Sequence, residues 1–276
     1  MTFWKGDNFC FELGAQTYVM GILNVTPDSF SDGGLWDDAQ KAVRHAVEMQ
    51  NGGAHIIDIG AQSTGPNSVE LSAQEELARL VPIWDKLVKN VSVPISVDTY
   101  YPQVAEFALK NGASIINDVS GKFSANMAKV IKKYNAGWIV MHNGGGTALD
   151  EIVYKDGVVS DVKDFFNTMS HSITEFGISQ QQICFDMGIG FGKSNDDNIE
   201  LIRSIEKIKT ENKALLTALS RKRVIGNATG EPCAQNRLFG TIAANTIAIA
   251  GKTDIIRVHD VAPCVQAAKM ADVIYR

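Results

Sequence analysis

The chain has no run of eighteen or so apolar residues, and its opening residues, MTFWKGDN, form no apolar leader. Both absences speak against a membrane span or an export signal and set the expectation of a cytoplasmic protein. No basic block is present either. The 26 Lys and Arg are outnumbered by 31 Asp and Glu, for a formal charge of −5, which argues against nucleic acid or an anionic membrane as the main partner. Cysteine is scarce and scattered. Cys10, Cys184, Cys233 and Cys264 form no C-x-x-C pair and read as small buried hydrophobes rather than a disulfide or metal set. There is no Ser/Pro linker, low-complexity tract or charge block among the 276 residues, so the expectation is one domain spanning 1–276.

Short apolar runs recur, each ending on a polar residue or Gly: residues 18–24 (YVMGILN), 55–60 (HIIDIG), 94–99 (PISVDT), 114–118 (SIIND), 138–142 (WIVMH), 183–188 (ICFDMG), 215–220 (LLTALS) and 254–259 (DIIRVH). Such brief, nearly continuous apolar stretches suit strands buried on both faces of a parallel sheet. Helical spacing fills the gaps at 37–51, from the capping box of Ser72 and Glu75 through Leu87, and at 103–111, 126–134, 162–176, 198–211, 234–250 and 265–275. Eight strands alternating with eight helices predict an α/β protein, a (β/α)8 TIM barrel over 18–276. The opening 1–17 contains a short hairpin (residues 3–16) placed to close the lower mouth. The competing doubly wound sheet calls for a Gly-rich turn after the first strand, where this chain instead reads NVTPDSFSDGG.

In such barrels the chemistry lies where strands end and βα loops begin. The ends here are Asn24, Asp58, Asp98, Asn117, His142, Asp186, Ser220 with Lys222, and Arg257 with His259. Almost every one carries a hydrogen-bonding or ionisable group, and a polar ring above an apolar core is a binding site. Arg221, Lys222, Arg257 and His259 compose a cationic side suited to phosphate. Asp98, Asn117 and Asp186 compose an acceptor-rich side suited to a flat heterocycle with several N–H groups. Asn24 offers an oxygen for a hard cation such as Mg2+. Duller roles exist: Arg257 and His259 could pair with Asp260 or Asp254, and Asp98 and Asp186 could satisfy loop amides. Asp58 reads as structural, His142 as either lining or packing, and His45, His55 and His171 as uninvolved. The run 186–193 (DMGIGFGK) lacks the glycine spacing of a nucleotide-binding loop.

Residues 20–34 (MGILNVTPDSFSDGG) resemble the first signature of the dihydropteroate synthases, and 53–66 (GAHIIDIGAQSTGP) resembles the second with variations. Similar segments follow in family order at 95–99, 116–118, 141–142, 186–193, 220–222 and 257–260. The resemblance implies a homodimeric transferase of folate biosynthesis, of the class that sulfonamides target. It would join (7,8-dihydropterin-6-yl)methyl diphosphate to p-aminobenzoate with Mg2+. Asn24 would hold the metal; Asp98, Asn117, Asp186 and Lys222 the pterin; Thr64, Arg257 and His259 the diphosphate; Phe191, Lys222 and Ser220 the p-aminobenzoate space. Lys222, Asp98, Arg257 and His259 would carry catalysis. Loops 25–36 and 61–71 would order over the second substrate. The chain departs from the family at Gly65, where the family has Arg, at Gln62 for Glu, at Met187 for Pro, and in the loop NGGG at 143–146, which lacks the family's Pro. These departures leave open a pterin-binding relative with little synthase activity. A methyltetrahydrofolate-type methyltransferase shares the pterin-holding barrel but needs neither the Asn24 loop nor the cationic side.

Overall fold

The computed structural model describes residues 1–25, 34–62, 70–144 and 152–276, without the side chains of 34–38. A two-stranded antiparallel hairpin, β1 (Thr2–Gly6) and β2 (Phe9–Leu13), precedes a closed barrel. The barrel strands are β3 (Tyr18–Asn24), β4 (Ile56–Gly60), β5 (Ile95–Asp98), β6 (Ile115–Asp118), β7 (Gly137–Met141), β8 (Ile183–Asp186), β9 (Ala214–Thr217) and β10 (Ile255–Val258). Each pairs in parallel with the next, and β10 returns to β3, with Arg257 opposite Met20. The eight-stranded parallel barrel read from the apolar runs is therefore the fold.

Around it lie α1 (Gly34–Asn51), α2 (Ala73–Asn90), α3 (Pro102–Lys110), α4 (Ala125–Tyr134), α5 (Val158–Glu175), α6 (Asn195–Arg203), α7 (Ile205–Ile208), α8 (Arg223–Thr229), α9 (Leu238–Ala250) and α10 (Val261–Tyr275). Ser72 and Glu75 cap α2 reciprocally, as expected. Three details differ from the sequence reading. The expected helix 198–211 divides at Ser204, whose φ of −106° breaks the helical path. The stretch 234–236 forms only a 3₁₀ turn before α9. The seven-residue α8 was not foreseen, being too short to show an apolar stripe. Among the described residues, no helix is long and apolar enough to cross a membrane.

The two-residue period of the strands explains the core. Val19, Ile57, Val97, Ile116, Val140 and Phe185 belong to the buried cluster shared with the helices. The alternate residues Met20, Ile56, Ile115, Ile139, Cys184, Leu216 and Ile255 form a second cluster, the barrel interior, together with Trp4 and Phe9 of the hairpin. The hairpin thus closes the lower mouth. Trp4 is fully buried, stands edge-on to Phe9 at 4.9 Å between ring centroids, and donates its Nε1–H to the carbonyl of Gln182 at 3.1 Å. One step higher, the inward sequence turns polar: Asp58, Ser96, Asn117, Asp186 and Arg257 take the positions two residues on from the apolar layer or beside it. That chemical step places the site at the C-terminal ends of the strands.

The cysteines divide. Cys184 and Cys264 are buried, whereas Cys10 and Cys233 are exposed, which corrects the expectation of four buried thiols. Cys10 occupies the outward phase of β2 beside buried Phe9, and Cys233 sits in the loop before a 3₁₀ turn. All four are free.

Candidate active site

A cavity of about 530 Å³ opens above the polar layer. Asn24, Asp98, Asn117, Asp186, Phe191, Ser220, Lys222, Arg257 and His259 all border it, so the polar strand ends do converge. Thr64 and Gly65, like most of the loop 61–71 and of the loop 25–36, lie outside the described residues. His142 does not border the cavity. It is buried beneath the loop after β8, with Nε2 2.7 Å from Asp161 Oδ1. His55 accepts from the Val19 amide at 3.0 Å and sits at the foot of the barrel.

The floor is an ion-paired lattice. Arg257 on β10 donates Nε–H to Asp58 Oδ2 at 2.7 Å and an Nη2–H to Asp98 Oδ2 at 2.9 Å. Asn117 donates Nδ2–H to the same Asp58 oxygen at 3.1 Å. The sequence reading set Arg257 on a cationic side apart from the carboxylates, and the structure corrects this. The small circumference of an eight-stranded barrel brings β10, β4 and β5 within one guanidinium's reach, so the two sides interlock. Asp260, offered as a partner for Arg257, instead receives the fork of Arg221 at 2.6 and 3.0 Å. That fork helps hold Arg221 in a left-handed backbone conformation, φ 60°, which costs a residue with a Cβ about 1 kcal/mol.

Asp186 ends β8 and is buried. Its Oδ1 accepts from the Gly188 amide at 2.8 Å. A Cβ at Gly188 would lie 1.7 Å from the His142 carbonyl oxygen, and the residue's φ is +66°, so only glycine fits there. Buried Lys193 gathers the rest of this loop, donating to the carbonyls of His142 (3.2 Å), Gly188 (3.0 Å) and Phe191 (2.9 Å). Lys193 also borders the cavity. The sequence reading assigned it no role, although a lysine closing a glycine-rich run was the available signal. So set, the loop offers the Phe191 ring to Lys222, whose Nζ stands 5.1 Å from its centroid, and the Ile189 carbonyl to the same ammonium. Arg223 and Arg237 on the outer wall were also missed.

Burial governs the charges. It pushes the Asp98 carboxyl up to about 7, against the pull of Arg257 and with help from Asp58. Asp186 is likewise raised by burial, opposed by Lys222. Lys222 is lowered to about 8 by burial, with Asp186 opposing, and Lys193 to about 7 in the same manner. Despite burial, Asp58 and Asp98 hold Arg257 protonated. His259 falls to about 4 because of burial and then Arg221 and Arg257. It is therefore a neutral imidazole at pH 7, fixed by Ser220 Oγ at 3.0 Å from its Nδ1, and not the cation assumed from sequence. A site with an ammonium, a guanidinium and buried carboxyls around one slot can bind a polar flat ring and stabilise a departing anion.

Among the described residues, no group of three or more His, Cys, Asp or Glu side chains could hold a metal. Asn24, exposed at the end of β3 and on the cavity rim, is the candidate ligand. One amide oxygen would suit magnesium, which usually keeps several of its waters and takes few ligands from protein.

Comparison with known proteins agrees with this geometry. Residues 20–259 match the model of the pterin binding enzyme family. The chain is 41% identical over 268 residues to dihydropteroate synthase of Clostridium beijerinckii, covering 96% of this chain and 97% of that one. It is 43% identical over 258 residues to the Bacillus subtilis enzyme, covering 93% and 88%. The dihydropteroate synthase structure from Clostridium difficile in the presence of pteroic acid superposes with a TM-score of 0.91 at 43% identity, covering 96% of this chain and 99% of that one. That from Xanthomonas albilineans in complex with 7,8-dihydropteroate gives 0.85 at 34%, covering 96% and 95%. On the fold, the cavity and these full-length likenesses together, the chain belongs to the pterin-binding enzyme family and, within it, to the dihydropteroate synthases.

Proposed function

We propose that the protein condenses (7,8-dihydropterin-6-yl)methyl diphosphate with p-aminobenzoate, giving 7,8-dihydropteroate and pyrophosphate. The observation that carries this reading is the floor of Asp98, Asn117, Asp186, Lys222 and Arg257 in one cavity. Acceptor oxygens there suit the N–H groups of a pterin, and the cations lie beside them. In this account Asp98, Asn117, Asp186 and Lys222 grip the ring. Phe191, Ser220 and Lys222 border the p-aminobenzoate. Arg257 and neutral His259 face the diphosphate side, to which the family resemblance adds Thr64, outside the described residues.

Asn24 would hold a magnesium ion together with the diphosphate oxygens, and such an ion, when bound, supplies further neutralisation of the leaving group. The protein's own groups account for the rest. Lys222 and Arg257 lower the cost of the charge that develops on pyrophosphate. The carboxylates of Asp98 and Asp186 tolerate the positive charge left on the pterin methylene carbon. The aryl amine, held against Phe191, attacks that carbon and then loses its proton readily, so orientation and electrostatics carry most of the acceleration. The test is pyrophosphate release with and without p-aminobenzoate. Release that depends on the amine supports the synthase. Release or tight pterin binding indifferent to the amine replaces it with a pterin-binding protein.

Two finer points belong to the same proposal. α9 and α10 pack on one another and leave Phe239 and Val273 each 83% exposed, with Ile247 and Met270 of the same two helices also exposed. Apolar exposure of this kind on two neighbouring helices suits a homodimer. Sedimentation should show a dimer that Phe239→Glu with Val273→Glu converts to monomer. The free thiols suit a reducing cytoplasm.

A further inference from the structure

Asp58 is the most completely enclosed carboxylate near the cavity, with no exposed surface, and it does not border the cavity at all. Its Oδ2 nevertheless holds two groups that do, the Arg257 Nε–H at 2.7 Å and the Asn117 Nδ2–H at 3.1 Å. A carboxylate only accepts hydrogen bonds. The Asn117 amide must therefore turn its NH2 toward Asp58, and it cannot flip without losing that bond. The consequence is visible at the other end of the amide: Asn117 Oδ1 is buried and has no partner, which leaves an unmet acceptor on a residue that borders the cavity. A buried polar atom left unpaired costs about 1–3 kcal/mol, so a ligand that donates there recovers it. Arg257 is set in the same way, its Nε–H taken by Asp58 and one Nη2–H by Asp98.

We propose that Asp58 is a positioning residue for the ring slot. Acting from behind through Asn117 and Arg257, it fixes the polarity the slot presents, so that Asn117 receives an N–H of the bicyclic ring and never donates to it. The inference rests on the pterin reading above and adds to it the residue that sets ring recognition. A merely structural Asp58 would instead contribute to folding and leave both substrates affected alike.

The experiment is Asp58→Asn, whose side chain can donate as well as accept and so releases the Asn117 amide to flip. Steady-state kinetics should show KM for the pterin diphosphate ester raised at least tenfold, with KM for p-aminobenzoate within twofold. In an Asn117→Ala background the same substitution should cost threefold or less. Calorimetry with pteroic acid supplies the direct arm. Wild-type protein that fails to bind it overturns the function proposed above, whereas equal binding by wild type and Asp58→Asn overturns this inference alone. Parallel rises in both KM values also overturn it. Should Asp58→Asn not fold, neutron diffraction of the wild-type complex with pteroic acid decides the matter: Asn117 Oδ1 accepting a ring N–H supports the proposal, and Nδ2 donating to the ring refutes it.

Discussion

Asp98→Asn should make the protein more stable at high pH while disabling it. In the folded protein the Asp98 carboxyl keeps its proton up to about 7, principally because burial disfavours the charge. In the unfolded chain the same group ionises near its ordinary value of 3.8. Between those limits the folded state binds the extra proton, so stability is full below the lower value and declines as pH rises toward the upper one. The decline is about 1.4 kcal/mol per pH unit. From pH 5 to the upper limit this amounts to about 3 kcal/mol, after which the curve is level. Asparagine keeps the shape and removes the titration, while Asp58 stays bonded to Arg257 Nε. Buried Asp186, whose shift owes nothing to Asp98, is common to both proteins and cancels in the difference. Urea unfolding of both proteins from pH 5 to 8.5 should therefore show the variant gaining about 3 kcal/mol on its parent across the range. Over the same range, kcat/KM should fall at least tenfold. Stability curves that run parallel within about 0.5 kcal/mol, inside the usual error of extrapolation, would refute the reasoning that burial of this carboxyl is a cost borne for function.

Lys222→Ala should lower kcat/KM at least tenfold with unfolding cooperativity unchanged, and near-normal kinetics would remove Lys222 from the machinery. Because burial lowers the Lys222 ammonium to about 8, wild-type kcat/KM for the diphosphate ester should drop above that pH as the charge is lost; a profile flat to pH 9.5 would contradict this. Trp4→Ala, which empties the lower mouth of a fully buried indole, should cost about 3–5 kcal/mol of stability in urea titrations, with KM values unchanged. A shift in KM there would mean that the hairpin reaches the cavity.

Much of the barrel is written in the chain because its signals are local. Runs such as HIIDIG and PISVDT mark strands by their own composition, and the Ser72 capping box marks α2. The polar strand ends were legible for the same reason: in a parallel barrel all ends of one kind must share a rim. Signals spread across the chain were not legible. Arg257 and Asp58 are 199 positions apart, and only barrel closure shows that they meet. Burial was equally hidden. His259 counts as a cation by residue type and is neutral because of what surrounds it. Lys193 looked like the end of a loop and proves to be the post on which that loop is wound. α8 escaped because two turns of helix containing Gly226 leave no periodic trace.

Residue 1 is fully exposed next to the hairpin, and Arg276 reaches Thr17 at the foot of β3. Residues 1 and 276 therefore both lie at the pole opposite the cavity. A reporter or surface anchor attached at either one would face away from incoming substrates and leave diffusion to the rim unobstructed. For immobilised or fused versions of this enzyme, the architecture itself supplies the insulation.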